Sequence, residues 1–264
     1  MTRFLRRPCP LGCGYPLSLW RTESGRSRAR CFGGCDESEI LAVEAWGEDD
    51  LPIVARPSRA DDQQRIERAR RDYQATKDDP AIGIYLRSRA IMISSSILHF
   101  SLSFPHRLGI AYPAMVAPVV DIAGEQTGVH ATYLRPDFKG KVDLPKEYQR
   151  ETRGVIGSSA IRLARHDPRY ALLIGEGVET TLSAMQLFGL PGWSAINAGG
   201  LKTIDVPLEV RNIIVVADHD LSGRGPCNAL MARDRWRAED RRVKIAMPKR
   251  PGDDFNDVLQ RWAE

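Results

Sequence analysis

The sequence contains no apolar run near the roughly 18–20 residues that a membrane helix requires, so a helical span is excluded. Its first residues, MTRFLRRPCP, are cationic but lead into no apolar stretch, and no secretory signal is expected. A cytoplasmic location follows as the expectation. Lysine is scarce, with seven against thirty-one arginines at a formal net charge of only +4. Arginine favours bidentate contact with phosphates, which makes nucleic acid a candidate partner. There is no Gly-x4-Gly-Lys-Ser/Thr string; the nearest, Gly199-Gly-Leu-Lys-Thr203, lacks the spacing. No NTP-driven motor is therefore expected in this chain. No repeat of 20–50 residues is visible either.

What is present is a globular composition: 264 residues, 42% hydrophobic and 27% charged. That rules out a wholly disordered chain and allows one large domain, or two small ones plus a short module. Cysteine is distributed unevenly. Four of the five lie in the first 35 residues, as Cys9-Pro-Leu-Gly-Cys13 and Cys31-Phe-Gly-Gly-Cys35. Two close pairs seventeen residues apart are the layout of a four-thiolate zinc site. Glycines 12, 14, 33 and 34 would let each pair turn tightly. Two disulfides or free thiols are the alternatives, and disulfides need an oxidising compartment. The nearest histidine is His99, which disfavours a mixed Cys/His site. Leu17–Trp20 and Arg28–Arg30 flank Thr22-Glu-Ser-Gly25 and read as a hairpin. Cys227 stands alone and reads as a small buried hydrophobe.

The chain then organises into segments. Residues 1–46 form the cysteine module, ending in a helix over 37–46. Residues 47–79 read as a linker and an exposed, Arg-rich helix opened by Asp61 or Asp62. Residues 80–168 read as a mostly β block: a short helix over 81–89, a hairpin from Met115 to Leu134, and a loop with Arg135, Lys139 and Lys141. A second basic stretch, from Arg150 to Arg165, follows. Residues 169–264 alternate strand and helix. The strands, such as Tyr170–Ile174 and Arg211–Ala217, are continuous apolar runs, which predicts a parallel sheet covered by helices on both faces.

Ligands of open α/β sheets bind at the carboxyl ends of the strands. Three such ends carry acids: Glu176, the pair Asp218 and Asp220, and Asp253-Asp254. Side by side, these carboxylates would repel one another unless a cation neutralised them, and hard oxygen ligands suit Mg²⁺ or Mn²⁺. A helix cap or a solvated loop is the other reading for each acid.

Ile174-Gly-Glu176-Gly177, followed some forty residues on by Val216-Ala-Asp218-His-Asp220, resembles the Toprim fold of DnaG-type primases, topoisomerases, OLD-type nucleases and RecR-type mediators. The string Pro251-Gly-Asp-Asp254-Phe-Asn256-Asp257-Val-Leu259 is similar to a stretch of phage-type primase–helicases. With the cysteine module and the basic β block, the chain resembles a short phage- or plasmid-type DnaG-like primase. The resemblance implies an α/β fold: a C-terminal Toprim domain preceded by a basic, mostly β subdomain and an N-terminal zinc ribbon. It implies that Glu176, Asp218 and Asp220 are catalytic and, with Asp254, hold Mg²⁺ or Mn²⁺. Glu176 would be a ligand or the general base. Cys9, Cys13, Cys31 and Cys35 would hold structural zinc. Arg135, Lys139, Lys141, Arg26 and Arg28 would contact nucleotide or DNA. Trp20 would stack on template or fill the ribbon core.

The partners so implied are single-stranded DNA, ribonucleoside triphosphates and a separate replicative helicase. The expected activity is synthesis of short RNA primers by two-metal nucleotidyl transfer. The aspartate that primases usually carry shortly after the Glu-Gly pair is Thr180 here, preceded by Glu179. A metal-dependent nuclease, a RecR-like clamp and a degenerate DNA-binding primase are the rival readings. Nothing of the size of a topoisomerase's tyrosine-bearing domain is evident.

Overall fold

A computed structural model describes residues 4–22, 25–31, 35–43, 51–53 and 58–263. The chain divides into two compact units, residues 1–61 and 62–264.

In the first unit, β1 (Leu5–Pro8), β2 (Pro16–Arg21) and β3 (Ser27–Cys31) form an antiparallel sheet in chain order. Leu17 and Leu19 alternate with polar neighbours on β2 and enter a small core with Ala29, Ile40 and Leu51. The expected hairpin is β2–β3. Strand β1 has no alternating apolar pattern and escaped the sequence reading. Helix α1 (Glu37–Val43) opens on Asp36, whose Oδ1 accepts from the backbone N–H groups of Ser38 and Glu39. The last residues of the helix expected over 37–46, like Gly33 and Gly34, lie outside the described residues.

Helix α2 (Arg59–Gln74) begins at the boundary between the units. Its cap is Ser58, not Asp61 or Asp62: the Ser58 hydroxyl accepts from the Asp61 N–H at 3.1 Å, and the Asp61 carboxylate accepts from the Ser58 N–H at 2.9 Å. That reciprocal pair places Asp61 in the first turn, where a capping-box acid belongs. The arginines of α2 are partly structural. Arg65 donates to the Gly154 carbonyl and Arg70 to the Gln126 carbonyl.

Four strands form the antiparallel sheet of the second unit: β4 (His99–Pro105), β5 (Ala111–Val120), β6 (Gln126–Tyr133) and β7 (Arg150–Gly154). They lie in chain order. One face carries Val116, Val129, Ala131 and Tyr133 against Ala69 of α2. The other carries Met115, Ala117 and Val119 against Ile82, Tyr85 and Leu86 of α3 (Ala81–Ser88). Val178 and Leu182 of α4 (Val178–Phe188) complete that second layer.

The parallel sheet consists of β8 (Leu172–Gly175), β9 (Gly192–Ser194), β10 (Asn212–Val216) and β11 (Arg242–Ala246), in the order β11-β10-β8-β9. Its connections carry α4, the short α5 (Ala198–Leu201) and α6 (Arg224–Ala238), and α7 (Phe255–Ala263) follows. Leu172, Ile174, Ile213 and Val215 pack with Ala229, Ala232 and Trp236 of α6. Leu173 and Val216 point the other way, toward Ala184 of α4 and Phe255 of α7. Both faces are covered, which is why the strands read as unbroken apolar runs.

Candidate active site and metal centre

Strands β8 and β10 are neighbours, with Gly175 opposite Val216. Glu176 therefore leaves the sheet beside the turn that carries Asp218 and Asp220. Gly225, in the first turn of α6, closes the group. A Cβ there would lie 2.4 Å from the Asp218 carbonyl oxygen, 2.7 Å from Asp220 Oδ2 and 3.0 Å from Glu176 Oε1. Only a residue without a side chain fits that position.

The four acids divide into two kinds. Glu176 is 8% exposed, and its Oε1 and Asp218 Oδ1 are buried without a hydrogen-bond partner. Burial, then the charges of Asp218 and Asp220, push the Glu176 carboxyl up to about 8. Burial, then Asp254, push Asp218 up to about 7, with the Arg150 guanidinium opposing. Ionised, a carboxylate pair held this way repels itself, and either a proton or a cation relieves that repulsion.

Asp220 and Asp254 instead serve helix starts. Asp220 accepts from the Ser222 hydroxyl and from the backbone N–H groups of Arg224 and Gly225, and these bonds outweigh burial and lower its pKa. Asp254 Oδ1 accepts from the Asn256 and Asp257 N–H groups at 2.7 and 2.9 Å, capping α7, while burial raises its pKa. His219 joins the two loops. Its N–H donates to the Asp253 carbonyl, its carbonyl accepts from the Gly252 N–H, and its Nδ1 donates to the Pro248 carbonyl.

Thr180 stands within hydrogen-bonding reach of Asp218 and lowers its pKa. Glu179 points away from the acids into the antiparallel sheet. It is 4% exposed and accepts from the Tyr85 hydroxyl at 2.7 Å and from Lys141 Nζ at 2.9 Å, both on Oε1. Burial opposes its ionisation, but Lys141 and Arg150 together hold its carboxyl well below the usual range. His130 lies in the same buried patch, where burial lowers its pKa to about 4. Tyr85, Arg150 and His130 were not singled out from sequence: their partners lie 11–94 residues away, and no local pattern marks them.

The expected nucleic-acid contacts are dispersed. Arg135 pairs with Asp137 at 3.2 Å, and Lys139 is exposed on the same loop. Phe138 anchors that loop by packing edge-on against Phe100, with a left-handed backbone (φ 58°). In the first unit, Arg28 pairs with Glu37 at 2.6 Å, and Arg26 accepts and donates backbone bonds with Thr22 at the hairpin turn. Trp20 is half-buried and packs edge-on against Phe4.

The four N-terminal cysteines converge. Their sulfurs all lie within 4.8 Å of one another, the one such group among the described residues, so the strand-end acids are less tightly gathered. Gly12 and Gly14 adopt left-handed backbone (φ 69° and 75°), turning the first pair inward. The cysteines are free thiols rather than disulfides. Hydrogen bonds from Cys13, then burial, push Cys35 up to about 12, and burial raises Cys9. Four crowded sulfurs in a shared shell are the donor set of structural zinc. Cys227 is exposed on α6, which corrects the expectation of a buried hydrophobe; the apolar stripe of that helix runs through Ala229, Ala232 and Trp236 instead. No helix among the described residues is long and apolar enough to cross a membrane.

Residues 171–264 match the Toprim domain family, and residues 60–163 match a domain of unknown function, DUF7146. No curated protein matches the chain. Among solved structures, the chain is similar to the DnaG primase catalytic domain bound to single-stranded DNA, at 14% identity and a TM-score of 0.49, over 76% of this chain and 78% of that one. It is also similar to the primase fragment of the bacteriophage T7 primase–helicase, at 14% identity and a TM-score of 0.45, over 98% and 96%. A third is the Aquifex aeolicus primase with its zinc-binding and RNA polymerase domains, at 13% identity and a TM-score of 0.47, over 99% and 76%. Residues 171–264 are thus a Toprim domain, in a chain that carries an N-terminal four-cysteine cluster.

Proposed function

We propose that this Toprim-domain protein is a DNA primase that makes short RNA primers on single-stranded DNA. The observation that carries the reading is the pair of buried, unpartnered carboxylate oxygens, Glu176 Oε1 and Asp218 Oδ1, at the carboxyl edge of a parallel Toprim sheet. Their burial, lack of partners and hard oxygen chemistry suit Mg²⁺ or Mn²⁺. Glu176 and Asp218 would be the principal ligands, with Asp220 and Asp254 completing the set while they hold α6 and α7 in place. Two bound divalent ions supply a lowered pKa for the primer 3′-hydroxyl and charge neutralisation for the phosphoryl group in transit.

The chain's own groups do the rest. Glu176 would serve either as a ligand or as the base for the attacking hydroxyl. Asp218 is tuned by Thr180 and Arg150, which stabilise its ionised form. Lys139, Lys141 and Arg135 are proposed to meet the triphosphate or the template, and Arg26 and Arg28 the template at the cysteine module. The cysteine module, with structural zinc, is proposed to read single-stranded template, leaving residues 80–168 and 169–264 as the polymerising core. Unwinding is proposed to come from a replicative helicase acting alongside these residues.

The test is primer synthesis. Purified protein is given mixed-sequence single-stranded DNA, labelled ribonucleotides and Mg²⁺ or Mn²⁺, beside the Asp218→Ala variant. Short labelled products that disappear in the variant support the reading. Shortened template without synthesis replaces it with a nuclease, and DNA binding without either reaction replaces it with a non-catalytic binding protein.

A further inference from the structure

Glu179 is the second residue of α4, one turn of chain beyond Glu176, yet its carboxylate contacts none of the strand-end acids. It is buried against the antiparallel sheet instead, with the Tyr85 hydroxyl and Lys141 Nζ both on Oε1. The Arg150 guanidinium lies beside it, with Nη1 3.5 Å from where a Cβ on Gly177 would stand and Glu179 Oε2 4.0 Å from the same point. A buried ion pair is weak evidence for stability, because well-packed apolar side chains of similar size would serve the fold equally. What the pair does secure is geometry. It joins the first turn of α4, which follows Glu176 directly, to the end of the loop that carries Arg135 and Lys139.

An ammonium group has three donors, and Glu179 takes one of those of Lys141. The Lys141 side chain is anchored by this contact yet 22% exposed, so it is not sealed off. A flexible four-carbon stem would otherwise spread that charge over many rotamers, and fixing it beforehand removes an ordering cost from ligand binding. We propose that Glu179 is a positioning residue: it holds Lys141 at the end of the loop that carries Arg135 and Lys139, so that the amine binds the phosphates of an incoming nucleotide. This rests on the primase reading. Glu179 then acts on nucleotide affinity and leaves cation binding by Glu176 and Asp218 intact.

The experiment measures two equilibria on the full, zinc-loaded chain: Mg·ATP binding by calorimetry and Mn²⁺ binding by electron paramagnetic resonance. Glu179→Gln and Lys141→Met should each weaken ATP binding by about tenfold, a usual coupling within one hydrogen-bonded network. The double variant should be no weaker than either single one, and Mn²⁺ affinity should stay within about twofold of wild type in all three. Glu179→Asp keeps the charge paired, so it guards against simple unfolding; retracting the anchor by one methylene should still weaken ATP binding several-fold at an unchanged melting temperature. ATP affinity unchanged in both Glu179 variants overturns the proposal. So do additive losses in the double variant, or Mn²⁺ and ATP affinity falling together. If the wild type makes primers while Glu179→Gln binds ATP normally, only this assignment falls. A wild type that neither binds ATP nor makes primers removes the primase reading with it.

Discussion

Replacing Asp218 by asparagine should make the protein more stable when no divalent cation is bound, and the gain should depend on pH. Glu176 and Asp218 hold their protons up to about 8 and about 7, whereas unfolded chains release them near 4. Below about pH 4 both states are protonated and the pair costs nothing. As pH rises from there toward 8, the unfolded state loses protons that the folded state keeps, so stability falls across that window. Moving one carboxyl from 4.5 to about 8 corresponds to roughly 5 kcal/mol at most. The two groups titrate as a coupled pair, so their shifts are not summed, and relaxation reduces the effect to about 1–3 kcal/mol. Asp218→Asn should therefore raise the melting temperature of the unit spanning 62–264 by about 3–10 °C at pH 8, and by under about 2 °C at pH 5.

Mg²⁺ should stabilise the wild type at pH 8 by about 3 kcal/mol when present at a hundred times its dissociation constant, and should leave the variant nearly unmoved. Differential scanning calorimetry in Mg²⁺-free buffer, with zinc left in place, reads all of these. A variant less stable than wild type at pH 8, or one equally stabilised at both pH values, would show that the buried oxygens are not a charge trap awaiting a cation.

Three further outcomes follow from the same geometry. Gly225→Ala places a methyl 2.4 Å from the Asp218 carbonyl and 3.0 Å from Glu176 Oε1; it should cost about 1–3 kcal/mol and weaken Mn²⁺ binding at least tenfold, read by melting and by titration. Cys31→Ser should lower bound zinc, measured by elemental analysis, from one per chain to near none and expose the first unit to proteolysis, because Cys31 also fills that unit's core. Thr180→Asp adds a carboxylate beside Asp218; it should tighten Mn²⁺ binding several-fold while lowering the cation-free melting temperature at pH 8 more than at pH 5.

The parallel sheet was legible because strands buried on both faces have to be apolar throughout, as Leu172–Ile174 and Ile213–Val216 are. The four cysteines were legible because short spacing alone brings their sulfurs together. Strand β1 was not, because an edge strand whose residues are mostly exposed carries no alternation to read. The start of α2 was misplaced for a related reason: Ser58 and Asp61 both suit a helix start, and only their reciprocal hydrogen bonds assign which one caps.

The acids show most clearly where sequence reasoning stops. Spacing places Glu176, Asp218, Asp220 and Asp254 at strand ends, but it treats them as equals. Hydrogen bonding separates them. Asp220 and Asp254 spend oxygens on the first turns of α6 and α7, whereas Glu176 and Asp218 each keep a buried oxygen unmatched. An aspartate at a helix start satisfies backbone donors whether or not a cation is near, and a buried, unpartnered carboxylate has no such use. Asparagine is the substitution that exposes this difference, since it still accepts backbone hydrogen bonds but offers a cation no charge. Asp254→Asn should accordingly keep α7 in place and leave Mn²⁺ affinity within a few-fold of wild type, while Asp218→Asn removes Mn²⁺ binding altogether. Equal losses in the two variants, measured by Mn²⁺ titration, would make Asp254 a principal ligand and its capping role secondary.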